Sequence, residues 1–268
     1  MIVSATTTAE QFFAGLLGAQ IGYGASAQLQ TRQGHALLRD WQDMNCSGPL
    51  PALDAGLDAT EQSIGLLGLC PWLLYRCDSG FDRRCLIAQR VSQPFYGSDT
   101  LAQLALLGDS LEFLMALGNA VPSKTVQSSA GVSAAMLSYL REQRRFYPEP
   151  IGHELIVLVD QLALLLAGGA VLSPTGGAAA AIARCLLFPE SLTLALDPDC
   201  PAAESGLTGF LLGAWRGIEV VPHGWLGEAA DLTHLNIFAQ QLYARWAGSP
   251  SLGADAVVMP FGPAGGPS

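Results

Sequence analysis

Asp197 and Asp199 stand two residues apart in an Asp-Pro-Asp-Cys-Pro turn, and carboxylates at that spacing could ligate a hard cation or activate water as a general base. The same turn suits a helix start, with Asp199 as the N-cap and Pro201 in the first turn, and capping is the favoured reading. Glu61 follows Asp58 by three residues, the spacing of a capping box, so its carboxylate also has a structural role open to it. Ser173-Pro174-Thr175-Gly176-Gly177 precedes a helical stretch and could offer backbone N–H groups to a phosphate. It lacks the Gly-Lys of a phosphate-binding loop, which favours an ordinary N-cap turn. His35, His153, His223 and His234 have no partners at triad or metal spacing. The six cysteines (Cys46, Cys70, Cys77, Cys85, Cys185 and Cys200) form no C-x-x-C pair and read as buried reduced thiols. No nucleophile-elbow or Cys-His signature is present.

The elements that would position these groups are helices. Residues 8–21 place Phe12, Phe13, Leu16, Leu17 and Ile21 on one face, while Gly15, Gly18, Ala19 and Gly22 thin the helix for close packing. Residues 39–57, with Gly48, Pro49, Pro51 and Gly56, read as a loop. A helix then begins at Asp58 and runs on to Arg76, with a kink expected at Pro71. Further helices are expected over residues 81–91, 100–117, 131–145, 153–167, 178–187, 204–216 and 229–246. The apolar run over residues 155–172 contains Asp160 and Gln161 and reads as a buried core helix rather than a membrane span. Arg141, Arg144 and Arg145 close a helix, where cations complement the negative end of the dipole.

Half of the 268 residues are hydrophobic and only 13% are charged, enough apolar material for a sizeable core. Abundant Ala, Leu and Gly point to closely packed helices and an all-α single domain. The net charge of −10 argues against nucleic acid as a partner, because non-specific affinity for it comes from clustered Lys and Arg. The beginning of the chain has no basic segment before its apolar run, so it does not read as a signal peptide, and a cytoplasmic, non-membrane protein is expected. Residues 1–247 are expected to form the helical domain, and residues 248–268 a loosely held Gly/Pro-rich C-terminal tail.

Three blocks resemble the ADP-ribosylglycohydrolase family. Gly15-Leu16-Leu17-Gly18-Ala19-Gln20-Ile21-Gly22 is similar to the family's opening glycine helix, with Tyr23 where an Asp usually follows. Thr60-Glu61-Gln62-Ser63 stands where the family has a Thr-Asp-Asp-Thr-like segment. From residue 178 to 246, a small-residue helix followed by Gly217-Ile218-Glu219-Val220-Val221-Pro222 and Trp225-Leu226 looks like the family's closing signature.

The resemblance implies an ADP-ribosylglycohydrolase-like helical bundle in which two acidic segments face each other around a pair of magnesium ions. In this chain the second segment falls on Cys200, Pro201, Ala202 and Ala203, and shifting the register by one residue restores neither Asp. Among the matched positions Glu61, Thr60 and Ser63 are the main remaining oxygen donors, too few for two divalent ions. A protein that has lost two-metal hydrolysis is therefore expected: a binding or regulatory pseudoenzyme with no cofactor. Its partner would be an ADP-ribose-like nucleotide, held near Thr60, Ser63 and Ser205 with Glu61 the remaining catalytic acid, or another protein. The alternative is an active hydrolase removing ADP-ribose from modified protein or cleaving a related glycoside, using magnesium with Glu61, Ser63, Asp197 or Asp199. A third reading is a purely structural protein.

Overall fold

The computed structural model describes residues 9–25, 30–51, 59–93, 97–120, 129–168, 177–196, 200–226 and 232–248. Within them the fold is all-α. Thirteen helices are described: α1 (Ala9–Ala25), α2 (Gln30–Gln42), α3 (Ala59–Gly68), α4 (Cys70–Tyr75), α5 (Gly80–Ala88), α6 (Ser98–Ala120), α7 (Ser129–Gln143), α8 (Glu149–Leu166), α9 (Gly177–Leu187), α10 (Leu192–Ala195), α11 (Ala202–Arg216), α12 (His223–Leu226) and α13 (Leu232–Trp246). Short 3₁₀ turns at Arg144–Phe146 and Ile218–Val220 follow α7 and α11. One continuous hydrophobic cluster runs from Phe12 to Leu242, so a single core serves the whole domain.

Its centre is an antiparallel pair, α1 against α11, and its closeness follows from the residues at the contact. A methyl group on Gly18 would collide with the carbonyl of Gly209, and one on Gly209 with the carbonyl of Gly18. Gly22 meets the Ser205 carbonyl and Gly213 the Ala14 carbonyl in the same way. The backbones touch over the stretch from Ala14 to Gly22, between two and three turns, because no side chain separates them. The two glycine-bearing blocks that stood out in the sequence are thus each other's partners.

Around this pair, α3, α6 and α9 pack on α11, α13 and α2 on α1, and α8 bridges α6 and α9. The break at Pro71 falls where the sequence places it: α3 ends at Gly68, Leu69 turns, and Pro71 lies in the first turn of α4, where its missing N–H costs nothing. Trp41 Nε1 donates to the Leu67 carbonyl across 3.3 Å and ties α2 to α3.

Three local expectations are corrected. Residues 39–42 continue α2 instead of opening a loop, because Leu37, Leu38 and Trp41 form a buried stripe on an otherwise polar helix. The helix α11 begins at Ala202 with Pro201 as its N-cap, and no side chain caps it, which is two residues later than a cap at Asp199 requires. On α8 only one face is buried: Leu155, Leu158, Val159, Leu162 and Leu165 face the core, while Val157, Asp160, Gln161 and Leu164 are exposed. Asp58, Asp197, Asp199 and residues 249–268, including nearly all of the expected tail, lie outside the described residues.

Among the described residues one helix stretch, Ser98–Gly118 of α6, is long and apolar enough to cross a membrane, and two thirds of it is buried within the protein. It also carries Asp109, fully buried and ion-paired.

Candidate functional site

The helices that carry the two segments paired by the resemblance, α3 and α11, are in contact. Leu67 of α3 packs on Gly206 of α11, and Gly22 of α1 on the backbone of Ser205. Thr60 and Glu61 fall in the first turn of α3, whose N–H groups point along the helix axis away from the chain that follows. Their side chains lie outside the described residues. Ser63, one turn on, is buried, and Ser205 is only 1% exposed, with no hydrogen-bond partner for its Oγ among the described residues.

Amides occupy much of this region. Gln103 of α6 donates from Nε2 to Gln62 Oε1 at 3.4 Å and to Asp99 Oδ2 at 3.2 Å, and its Oε1 accepts from the Ala178 N–H at 3.5 Å. One side chain therefore links the N-terminal turns of α3, α6 and α9. Gly177 has a φ of +52° and lies so close to Gln103 Oε1 that an added Cβ would crowd it, which is why α9 can start there.

On α11 the acid nearest the second segment is Glu204, and it is already engaged. Its Oε1 lies 3.5 Å from Arg184 Nε of α9, with both side chains essentially out of solvent, and accepts from the Cys200 thiol at 2.9 Å. Thr208 Oγ1 donates to the Glu204 carbonyl at 3.0 Å, fixing the first turns of α11. Burial of a carboxylate at this depth requires such a partner. Among the described residues no group of three His, Cys, Asp or Glu side chains could hold a metal ion. Among the described side chains the donors near these segments are a compensated carboxylate, the exposed Asp99, a thiol, two serines and two glutamine amides, a set that does not suit a pair of magnesium ions, which require several uncompensated oxygen ligands.

A second polar cluster lies outside the reach of the motif reading. Arg83 and Arg84 of α5 face Asp109 and Glu112 of α6. Arg83 Nη2 donates to Asp109 Oδ1 at 2.7 Å and to Glu112 Oε2 at 2.6 Å, and Arg84 reaches the same two oxygens. Tyr147 donates to Asp109 Oδ2 at 3.1 Å, and Arg84 Nη2 donates to Tyr139 Oη at 3.2 Å. Burial alone would loosen the Arg83 proton, but the Asp109 carboxylate reverses that and holds the guanidinium charged. Burial, then the Glu112 and Asp109 charges, push the Tyr139 hydroxyl up. Every group found here has a partner on another element, so the cluster joins α5, α6, α7 and the turn into α8. The sequence does carry a trace of it: an Arg-Arg doublet in a short helix, and Asp109 with Glu112 one turn apart in an apolar one.

Of the remaining candidates, His153, His223 and His234 are exposed, and His35 lies outside the described side chains. Cys46, Cys70, Cys77, Cys185 and Cys200 are buried as expected, and no disulfide joins any cysteine. Arg141, Arg144 and Arg145 make solvent-exposed ion pairs with Asp160, Glu149 and Glu142.

The fold and core define an all-α single-domain protein. No protein-family model and no curated protein matches the chain.

Proposed function

We propose that this chain is an ADP-ribosylglycohydrolase-like protein that no longer performs two-metal hydrolysis and works by binding, with an ADP-ribose-like nucleotide as the ligand of its α3/α11 region. The observation that carries this reading is the Arg184–Glu204 pair. The carboxylate next to the second segment already has a permanent internal cation within 3.5 Å, and a divalent ion would have to displace it from a dry site. The Gln62–Gln103 amide contact supports it from the α3 side, because an amide donates and accepts hydrogen bonds but brings no charge to a cation. The first turn of α3, which Gln103 ties to the first turn of α9, offers backbone N–H groups to an anionic group such as a pyrophosphate.

The test is calorimetric titration of ADP-ribose into the protein with and without millimolar magnesium. Saturable binding of equal affinity in both buffers is the expected result. Magnesium-dependent binding, or release of ADP-ribose from an ADP-ribosylated protein, would overturn the pseudoenzyme reading in favour of a hydrolase, and no binding in either buffer would remove the nucleotide.

A further inference from the structure

Between the C-terminal end of α2 with its following loop and one face of α13 lies a cavity of about 260 Å³. Phe238, Leu242 and Met44 give it an apolar interior, Cys46 contributes a thiol, and Gln241 and Arg245 stand at its mouth. Gln241 and Arg245 are four residues apart and therefore neighbours on the α13 surface.

The α13 wall of this cavity carries charge opposite to that of the molecule, and the acid beside the facing wall is Asp43, between the lining residues Gln42 and Met44. The chain carries a net −10, yet α13 has no Asp or Glu, and its charged or titratable nitrogen bases are His234 and Arg245, three turns apart on the cavity face. Arg245 is exposed and forms no ion pair among the described residues. Burial pushes the Cys46 thiol up to about 11, and the two charges that act on it against that effect are both cationic, Arg245 and Arg76. Arg76 is itself fixed, donating from Nη2 to the Ser47 and Gly48 carbonyls at 3.0 Å each, so it holds the loop that forms the far wall.

An apolar interior closed by a lone guanidinium and an adjacent amide has the chemistry of a site for an amphipathic anion. We propose that this cavity binds a small monocarboxylate with an apolar body, its chain or ring between Phe238, Leu242 and Met44 and its carboxylate on Arg245 with Gln241 donating beside it. A guanidinium can engage both oxygens of a carboxylate at once, which sets the orientation. The volume lies just below the usual range for drug-sized ligand sites, of roughly 300–1,000 Å³, and so selects a ligand with one apolar segment over a nucleotide. The site shares no residue with the α3/α11 region, and its occupancy does not depend on the function proposed there.

The probe is octanoate, with 1-octanol as its uncharged counterpart, titrated calorimetrically into the full chain. Octanoate is expected to bind at one site at least about tenfold more tightly than octanol. Arg245→Gln is expected to bring octanoate down to the octanol level and leave octanol unchanged. Gln241→Trp, which fills the mouth from an exposed position, is expected to weaken both by about tenfold or more. Amide resonances of residues 44–46 and of α13 are expected to shift on octanoate addition in the parent chain. Equal affinities for octanoate and octanol, an unchanged octanoate affinity in Arg245→Gln, or no saturable binding up to about 10 mM would each overturn the assignment. Both substituted side chains are exposed, so the melting temperatures of the variants separate loss of binding from loss of fold.

Discussion

Asp109 is fully buried on the longest helix of the fold, and each of its oxygens is spoken for: Oδ1 by Arg83 and Arg84, Oδ2 by Tyr147. Removing the carboxylate would leave Arg83, itself without solvent exposure, facing Glu112 alone. Asp109→Asn is expected to cost about 3 kcal/mol of stability in urea unfolding, because two buried guanidiniums are then left to share the single Glu112 carboxylate. The exposed pair Arg141–Asp160 is the control: Arg141→Met is expected to change stability by less than about 1 kcal/mol. Equal effects of the two substitutions would show that burial does not set the value of these pairs. The same distinction explains why this cluster escaped a motif reading. The acids of an apolar helix and the Arg-Arg doublet are the trace it leaves in the sequence, but which acid meets which arginine is set only where α5 and α6 meet through tertiary packing. Thr60, Glu61 and Ser63 were legible as a segment, whereas the Arg184–Glu204 pair was not, since its members are twenty residues apart on different helices.

At the scale of the helix, the close approach of α1 and α11 makes glycine a steric requirement. Gly18→Ala would place a methyl group against the Gly209 carbonyl, which belongs to backbone and cannot swing aside. The expected loss is about 1–3 kcal/mol or more, as for other overpacked cores. Gly68, at the end of α3, has nothing within 4 Å of an added Cβ and no positive φ, so Gly68→Ala is expected to stabilise by about 0.4–1 kcal/mol through the unfolded chain. Thermal melts of the two variants moving in the same direction would contradict this account of the interface. Periodicity made α1 and α11 readable, because their apolar and small positions recur at helical steps. It failed for α2, where three apolar side chains among ten polar or small residues gave a weak signal. Pro71 was readable for a different reason: the ring prohibits helix continuation wherever the rest of the chain lies. The start of α11 differs by two residues from the one expected, because two acids just upstream offered a capping pattern that the helix does not use.

For the molecule as a whole, buried thiols are distributed through one continuous core: Cys46 against α13, Cys70 at the start of α4, Cys77 in the turn that follows it, and Cys185 on α9. Burial pushes all four up, Cys46 to about 11 and Cys77 to about 12 from an ordinary value of 9.0, with Cys70 well above it and Cys185 also above it. Since the protonated form is the one the fold prefers, the native state binds more protons than the unfolded state once pH exceeds about 9. Their contribution is complete below that pH and is lost as pH rises toward the folded-state values, at about 1.4 kcal/mol per pH unit for each thiol. Tyr139 and Tyr147, raised first by burial, add to the slope above about pH 10. Urea midpoints measured from pH 8 to 11 are therefore expected to fall with increasing steepness. Cys185→Ala is expected to lower the stability at pH 8 by leaving a small void, yet to make the alkaline slope shallower by about 1.4 kcal/mol per pH unit. A slope that is flat to pH 11, or one that Cys185→Ala leaves unchanged, would mean that the core admits water to its thiols and that the small-residue packing of α9 on α11 does not seal it.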